Sequence, residues 1–112
     1  MSVYAIQLRA DPLRTLAYTS ITSSYTNIGA PLAHPTRILY VENQTDVLCI
    51  FSFNASTDHF ALPSGGFLLL DVTTNELPAE GFYISVGTQM AVRTSGSPST
   101  GDIYVSVFYA GS

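Results

Sequence analysis

At residues 36–53 the chain reads TRILYVENQTDVLCIFSF, with two apolar runs on either side of a short polar stretch. The apolar runs, residues 38–41 and 47–51, are dense in Val, Ile, Tyr and Phe, which fit the pleated surface of a β-strand. The polar stretch between them, residues 43–46 (NQTD), is rich in side chains that bond their own backbone in turns. This pattern predicts a β-hairpin at the centre of an all-β domain.

Both strands of the predicted hairpin are apolar on both faces. Successive side chains of a strand point to opposite sides, so Leu39 and Val41 share one face of the first strand, while Ile38 and Tyr40 share the other. An antiparallel sheet with one face in water alternates apolar and polar residues. We therefore expect both faces of this sheet to be covered, one by a second sheet and the other by a neighbouring protein.

The rest of the chain consists of short apolar runs separated by turn signals, with no helical period. Further strands are predicted at residues 14–22, 59–62, 67–72, 82–86, 89–93 and 102–109. This spacing is typical of a single-domain β-sandwich or jelly roll with seven to eight antiparallel strands, spanning residues 13–112 after an N-terminal arm at residues 1–12. The predicted core consists of Leu39, Val41, Cys49, Phe51, Leu69, Ile84, Val105 and Val107.

The composition points to an assembled protein. Of the 112 residues, 46% are hydrophobic and only 11% are charged, against about 25% charged in typical soluble domains. We expect a stable oligomer or permanent docking on a larger assembly, the alternative being a monomer clothed in Ser, Thr, Asn and Gly. A net charge of −4 and the absence of lysine disfavour nucleic-acid binding. No signal peptide is recognised, and no apolar run reaches membrane-spanning length, so no membrane partner is expected.

Enzymatic chemistry is not indicated by the sequence. Asp58 and His59 form the only adjacent acid–imidazole pair, but neighbouring strand residues point oppositely and no G-x-S-x-G nucleophile motif is present. We interpret them as a turn Asp followed by a partly buried His. Cys49 lies in an apolar strand, as a small buried hydrophobe does. The spacing of His34, Cys49, Asp58 and His59 does not match that of zinc ligands. We therefore predict that the protein is not an enzyme and binds no metal ion or cofactor.

The seven tyrosines leave carbohydrate binding open as an alternative. An aromatic face can stack on the apolar surface of a sugar while polar loops supply hydrogen bonds. Four of the tyrosines, Tyr40, Tyr83, Tyr104 and Tyr109, are first of all predicted strand residues. The absence of Trp weighs against the carbohydrate interpretation.

Several segments carry a resemblance to a known class of proteins: residues 58–60 (DHF), 62–71 (LPSGGFLLLD), 74–75 (TN) and 101–110 (GDIYVSVFYA). In the style and order of these segments, the stretch from residue 36 to residue 110 resembles small β-sandwich virion proteins of tailed bacteriophages. Such proteins decorate the capsid or build the head-to-tail region, and they act by assembly without a cofactor. The resemblance implies synthesis in the host cytoplasm and a final place in the virion, with capsid or connector subunits as partners.

The leading hypothesis is a non-enzymatic virion structural protein that docks on capsid or head-to-tail connector subunits and stabilises the particle as a symmetric oligomer. The alternative is a carbohydrate- or host-surface-binding module of a phage fibre or spike. The candidate contact residues are those expected to be exposed on the arm, on the first strand of the hairpin and in the Ser/Gly-rich loop: Tyr4, Ile6, Leu8, Arg9, Arg37, Ser95 and Ser97.

Overall fold

The computed structural model of the protein describes residues 7–71 and 84–111, which form β-strands and a single turn of 3-10 helix, Tyr18–Ser20. The strands are β1 (Gln7–Ala10), β2 (Arg14–Ala17), β3 (Thr26–Asn27), β4 (Thr36–Asn43), β5 (Cys49–Ser52), β6 (Phe60–Leu62), β7 (Phe67–Asp71), β8 (Ala91–Arg93) and β9 (Asp102–Gly111). The prediction of an all-β chain is confirmed, with nine strands in the described part instead of seven or eight.

The strands form two antiparallel sheets. In sheet A, β9 and β4 are central, β7 pairs with β4, and β1 and β2 both pair with the free side of β9. β1 lies along the C-terminal end of β9 and β2 along its N-terminal end. Sheet B has the order β3-β8-β5-β6. Buried apolar residues from both sheets join in one core cluster, so the predicted β-sandwich is confirmed.

The predicted central hairpin is wrong. β4 belongs to sheet A and β5 to sheet B, so residues 44–48 carry the chain across the sandwich from one sheet to the other. The buried side chain of Asn43 holds this corner, because its Nδ2 donates hydrogen bonds of 2.9 Å to the carbonyls of Val47 and Leu62. Gly101 packs so closely against the corner that a Cβ there would overlap the Gln44 carbonyl. The turn chemistry of residues 43–46 was correctly predicted, but this turn connects two different sheets instead of two strands of one sheet.

Most of the predicted core is buried between the two sheets. Leu39, Val41, Cys49, Phe51, Val105 and Val107 are buried, and Ile84 is partly buried against the same cluster. Leu69 is the error, since it is 54% exposed. The register between β4 and β7 sets Leu69 opposite Tyr40 on the outer face of sheet A, whereas its neighbours Leu68 and Leu70 lie opposite the buried Val41 and Leu39.

Candidate functional site

The outer face of sheet A carries a set of apolar side chains, with Ser106 opposite Tyr40 and Asp71 opposite Ile38 on the same face. Residues directly opposite each other on paired strands share a face, and the register therefore groups Leu8 of β1, Ile38 and Tyr40 of β4, Phe67 and Leu69 of β7, and Phe108 of β9. We call this set the apolar outer face. Phe67 is 62% exposed, Leu69 54% and Leu8 47%. Large exposed apolar patches mark interaction surfaces in soluble proteins, so this face is a candidate docking surface.

An acidic border closes the apolar outer face towards the N-terminal end of β9. The Tyr40 ring lies 5.7 Å from the Phe67 ring, and the Tyr40 hydroxyl donates a 2.9 Å hydrogen bond to Glu42 Oε1. The Tyr104 hydroxyl donates to Asp102 Oδ2 at 3.2 Å. These bonds to carboxylates raise the pKa of both tyrosines. Their hydroxyls therefore remain protonated and are already committed to partners.

The described tyrosines of the carbohydrate hypothesis do not gather into one groove. Tyr40 and Tyr104 share the outer face of sheet A, with Glu42 opposite Tyr104 on the neighbouring strand. Tyr109 stacks on His34 near the other end of β9, with ring centroids 3.9 Å apart. Tyr83 lies outside the described residues.

The predicted contact residues occupy separate places in the fold. Tyr4 and Ile6 lie outside the described residues. Leu8 and Arg9 are exposed beside the C-terminal end of β9, and Arg37 is half-buried where the register between β4 and β9 shifts. The remaining two, Ser95 and Ser97, are exposed in the loop that leads into the opposite end of β9. Of the described candidates, only Leu8 belongs to the apolar outer face.

A second candidate site lies on the outer side of sheet B, around an ion pair that the sequence analysis did not predict. Arg93 of β8 lies opposite Ile50 of β5 and meets Asp58 from the loop after β5. The guanidinium donates two hydrogen bonds to the carboxylate, from Nη2 to Oδ2 at 2.6 Å and from Nε to Oδ1 at 3.1 Å. The Tyr25 hydroxyl also donates to Asp58 Oδ1, and Arg93 Cζ lies 5.7 Å from the centroid of the Tyr25 ring.

The electrostatics of this cluster fix the charge state of each partner. Hydrogen bonds from Arg93, assisted by the one from Tyr25, lower the pKa of Asp58 to about 2. The bonds to Asp58 raise the pKa of Arg93 in turn. Desolvation, followed by the bond to the Asp58 carboxylate, raises the pKa of Tyr25. Asp58 and Arg93 therefore stay charged, and Tyr25 neutral, at any physiological pH.

The ion pair forms one wall of an open depression of about 730 Å³. Its lining is rich in hydroxyl groups and consists of Ser23, Ser24, Tyr25, Ala55, Ser56, Thr57, Asp58 and Arg93. The loop that supplies half of the lining is held in shape by Asn54, whose Oδ1 accepts hydrogen bonds from the backbone N–H groups of Ser56 at 3.0 Å and Thr57 at 2.9 Å. Ala55 adopts a left-handed conformation within this turn, with φ of 61°.

The adjacent residues Asp58 and His59 have separate roles. Asp58 joins the ion pair, whereas His59 Nδ1 accepts a 3.0 Å hydrogen bond from the backbone N–H of Phe53. The backbone N–H of His59 donates to the carbonyl of Phe51 at 2.9 Å, so His59 fastens the loop to the end of β5. The expectation of a partly buried His is wrong, since His59 is exposed.

Comparison of the chain with protein-family models, with curated proteins and with solved structures finds no match. Within residues 7–71 and 84–111, His, Cys, Asp and Glu side chains nowhere gather in threes as ligands for a metal ion. The same part of the chain holds no helix long and apolar enough to cross a membrane. Cys49 is buried, and this burial raises the pKa of its thiol. The candidate functional surfaces are the apolar outer face of sheet A and the depression beside sheet B.

Proposed function

We propose that this protein is a non-enzymatic structural protein of a virion, in which the apolar outer face joins copies of the chain into a symmetric oligomer that docks on capsid or head-to-tail connector subunits. The observation that carries the proposal is the exposure of Phe67 (62%) and Leu69 (54%) side by side on β7, next to the ring of Tyr40. Fully burying side chains of this size contributes roughly 1.5–3 kcal/mol each. Covering this face therefore contributes a large favourable hydrophobic term to the free energy of association.

The setting of the face supports rigid docking. The exposed side chains stand on β7, which pairs with the central strand β4 along its whole length. Because a paired sheet is ordered before it binds, little conformational entropy is lost on association. Only 11% of the residues are charged, which suits a protein whose surface is covered by partners. The resemblance to tailed-phage virion proteins makes capsid or connector subunits the partners of choice.

The proposal is tested by measuring the mass in solution by light scattering across a dilution series. We expect the wild type to form an oligomer and the double variant Phe67→Ser/Leu69→Ser to dissociate. The matched control is Leu48→Ser/Val86→Ser, which removes two side chains of similar exposure, 48% and 55%, that lie outside sheet A. A wild type that is monomeric at every concentration would overturn the oligomer. An oligomer that survives in the first variant would overturn this face as its contact.

A further inference from the structure

The two outer sides of the sandwich differ in chemistry. Sheet A presents the apolar outer face, whereas sheet B presents the polar depression around Asp58 and Arg93. In a sandwich the outer faces of the two sheets point in opposite directions. A molecule docked through sheet A therefore leaves the depression open to solvent.

The ion pair in the depression still has hydrogen-bonding capacity. Arg93 uses Nε and one N–H of Nη2 on Asp58, and within the described residues its Nη1 group donates no hydrogen bond. In the part of the chain that the structure describes, Asp58 Oδ2 accepts a single bond, from Arg93, although a carboxylate oxygen has two lone pairs. The second N–H of Nη2 is also unused among the described residues, and because Nη2 lies 2.6 Å from Oδ2, this donor and the free lone pair of Oδ2 lie side by side at the edge of the pair. Two neighbouring hydroxyl groups of a ligand match this arrangement, one donating to the carboxylate and the other accepting from the guanidinium.

We infer that this depression binds a neutral saccharide, which places vicinal hydroxyls on the Asp58–Arg93 pair and packs beside the Tyr25 ring. The paired charges cancel, so the site offers directional hydrogen bonds without a net charge for an anionic or cationic ligand. The hydroxyls of Ser23, Ser24 and other lining residues provide further donors and acceptors. The volume of about 730 Å³ lies within the range of small-molecule sites, roughly 300–1,000 Å³.

The site is organised before any ligand arrives. Asn54 fixes the loop that carries Asp58, and the bidentate bond to Arg93 fixes the carboxylate itself. The pKa of Asp58, about 2, keeps the carboxylate an acceptor at any physiological pH. Because these groups are already ordered, a saccharide pays little for arranging them on binding. This inference does not depend on the proposed docking function.

The test is a titration of the 15N-labelled protein, followed by backbone amide shifts, with the methyl glycosides of glucose, galactose, mannose and N-acetylglucosamine. We expect at least one of them to move the amides of residues 23–25, 55–58 and 93 in a saturable way, and methyl glucuronide to bind no tighter. No shift around the depression with any neutral glycoside would overturn the inference. Tighter binding of the glucuronide would overturn the assignment to a neutral ligand.

Two variants locate the binding. Arg93→Lys keeps the positive charge but loses the two-pronged geometry, and we expect it to weaken saccharide binding about tenfold or more. Because this change also loosens the loop, Ser24→Tyr serves as a second variant, filling the depression without touching the ion pair. The docking variant Phe67→Ser/Leu69→Ser should bind the same glycoside unchanged, whatever its oligomeric state. Wild-type affinity in Arg93→Lys and Ser24→Tyr would place the saccharide elsewhere and refute the site.

Discussion

At the scale of single residues, Asn43 is the side chain on which the passage between the sheets depends. It is buried, and its Nδ2 contacts the carbonyls of Val47, Leu62 and Pro63. Its Oδ1 accepts hydrogen bonds from the backbone N–H of Thr45 at 3.0 Å and from the Thr45 hydroxyl at 2.6 Å. A buried polar group left without a partner costs about 1–3 kcal/mol. We expect Asn43→Ala, which orphans several such groups, to lower the free energy of unfolding in urea by about 3 kcal/mol or more.

The control for Asn43 is Asn54, which makes the same kind of bonds in an exposed loop. Its Oδ1 accepts from the backbone N–H groups of Ser56 and Thr57, both within reach of water. Water replaces the bonds lost at Ser56 and Thr57, and the buried Ser52 hydroxyl, which donates to Asn54 Oδ1 at 2.8 Å, keeps its bond from the backbone N–H of residue 54, so Asn54→Ala should cost only about 1 kcal/mol. Equal losses from the two substitutions would show that burial of the corner is not what makes Asn43 important.

The ion pair of Asp58 predicts a pH dependence of stability. The pKa of Asp58 is about 2 in the folded protein, below its ordinary value of 3.8. A lowered carboxyl pKa adds stability above the unfolded value, and this contribution is lost as the pH falls from about 4 through about 2. The urea midpoint of the wild type should therefore exceed that of Asp58→Asn at neutral pH, and the gap should close over this window. Hydrogen bonds from Ser99 also lower the pKa of Asp46, so the wild-type stability falls in acid for more than one reason. The quantity to follow is therefore the difference in urea midpoint between the wild type and Asp58→Asn.

A constant gap between wild type and Asp58→Asn from neutral pH down to about 2 would contradict this assignment. The difference would then come from loop packing and not from the charge of Asp58. Asp46→Asn is the matched comparison, because it removes another hydrogen-bonded surface carboxylate at a distance from Arg93. The difference in urea midpoint between the wild type and Asp46→Asn should also narrow in acid, but this substitution should leave the depression around Asp58 and Arg93 unchanged.

At the scale of strands, alternation predicted which side chains share a face, and it failed where the sequence is apolar at every position. Leu39 and Val41 face the core as a pair, as their spacing requires. In β7 the residues FLLLD offer no polar marker for the outer side, and only the register with β4 shows that Leu68 and Leu70 point inward. The alternation of side chains allowed two possible inward faces for β7, and only the pairing with β4 decides between them.

The inward and outward leucines of β7 give a direct test of this register. Leu70 lies opposite the buried Leu39 and packs against the core, whereas Leu69 is exposed. We expect Leu70→Ala to lower the free energy of unfolding by about 2 kcal/mol and Leu69→Ala by about 0.5 kcal/mol or less. Urea unfolding at low protein concentration, where association contributes little, separates the two. A larger loss from Leu69→Ala would reverse the register assigned to β7.

The hairpin error has a physical cause at the same scale. Two apolar runs joined by a few polar residues are compatible both with a return in one sheet and with a crossing to the facing sheet. The crossing is secured by contacts distant in sequence, among them the Asn43 bond to Leu62 and a 2.9 Å bond from the Gln44 backbone N–H to the carbonyl of Asp102. No local pattern in residues 36–53 encodes those partners.

At the scale of the whole molecule, the spacing of short apolar runs between turn signals predicted the β-sandwich, and the strands apolar on both faces indicated an apolar outer side. The polar depression could not be anticipated in this way. Asp58 is separated by 35 residues from Arg93 and by 33 from Tyr25, and only the pairing of β8 with both β3 and β5 brings them together. The one local signal for this depression was the polar turn chemistry of residues 54–58 (NASTD), which predicts a turn and not a site.

The N-terminal arm supplies both a strand of sheet A and a residue of the apolar outer face, so its removal gives a prediction for the whole molecule. Among residues 7–71 and 84–111, β1 pairs only with the C-terminal end of β9, and its Leu8, Arg9 and Ala10 are exposed and do not belong to the buried core cluster. We expect deletion of residues 1–10 to leave the sandwich folded, with a urea midpoint close to that of the wild type. Because Leu8 belongs to the apolar outer face, the same deletion should weaken the oligomer in light scattering. An unfolded deletion variant would make β1 part of the stable domain, and a folded variant with unchanged mass would remove the arm from the docking contact.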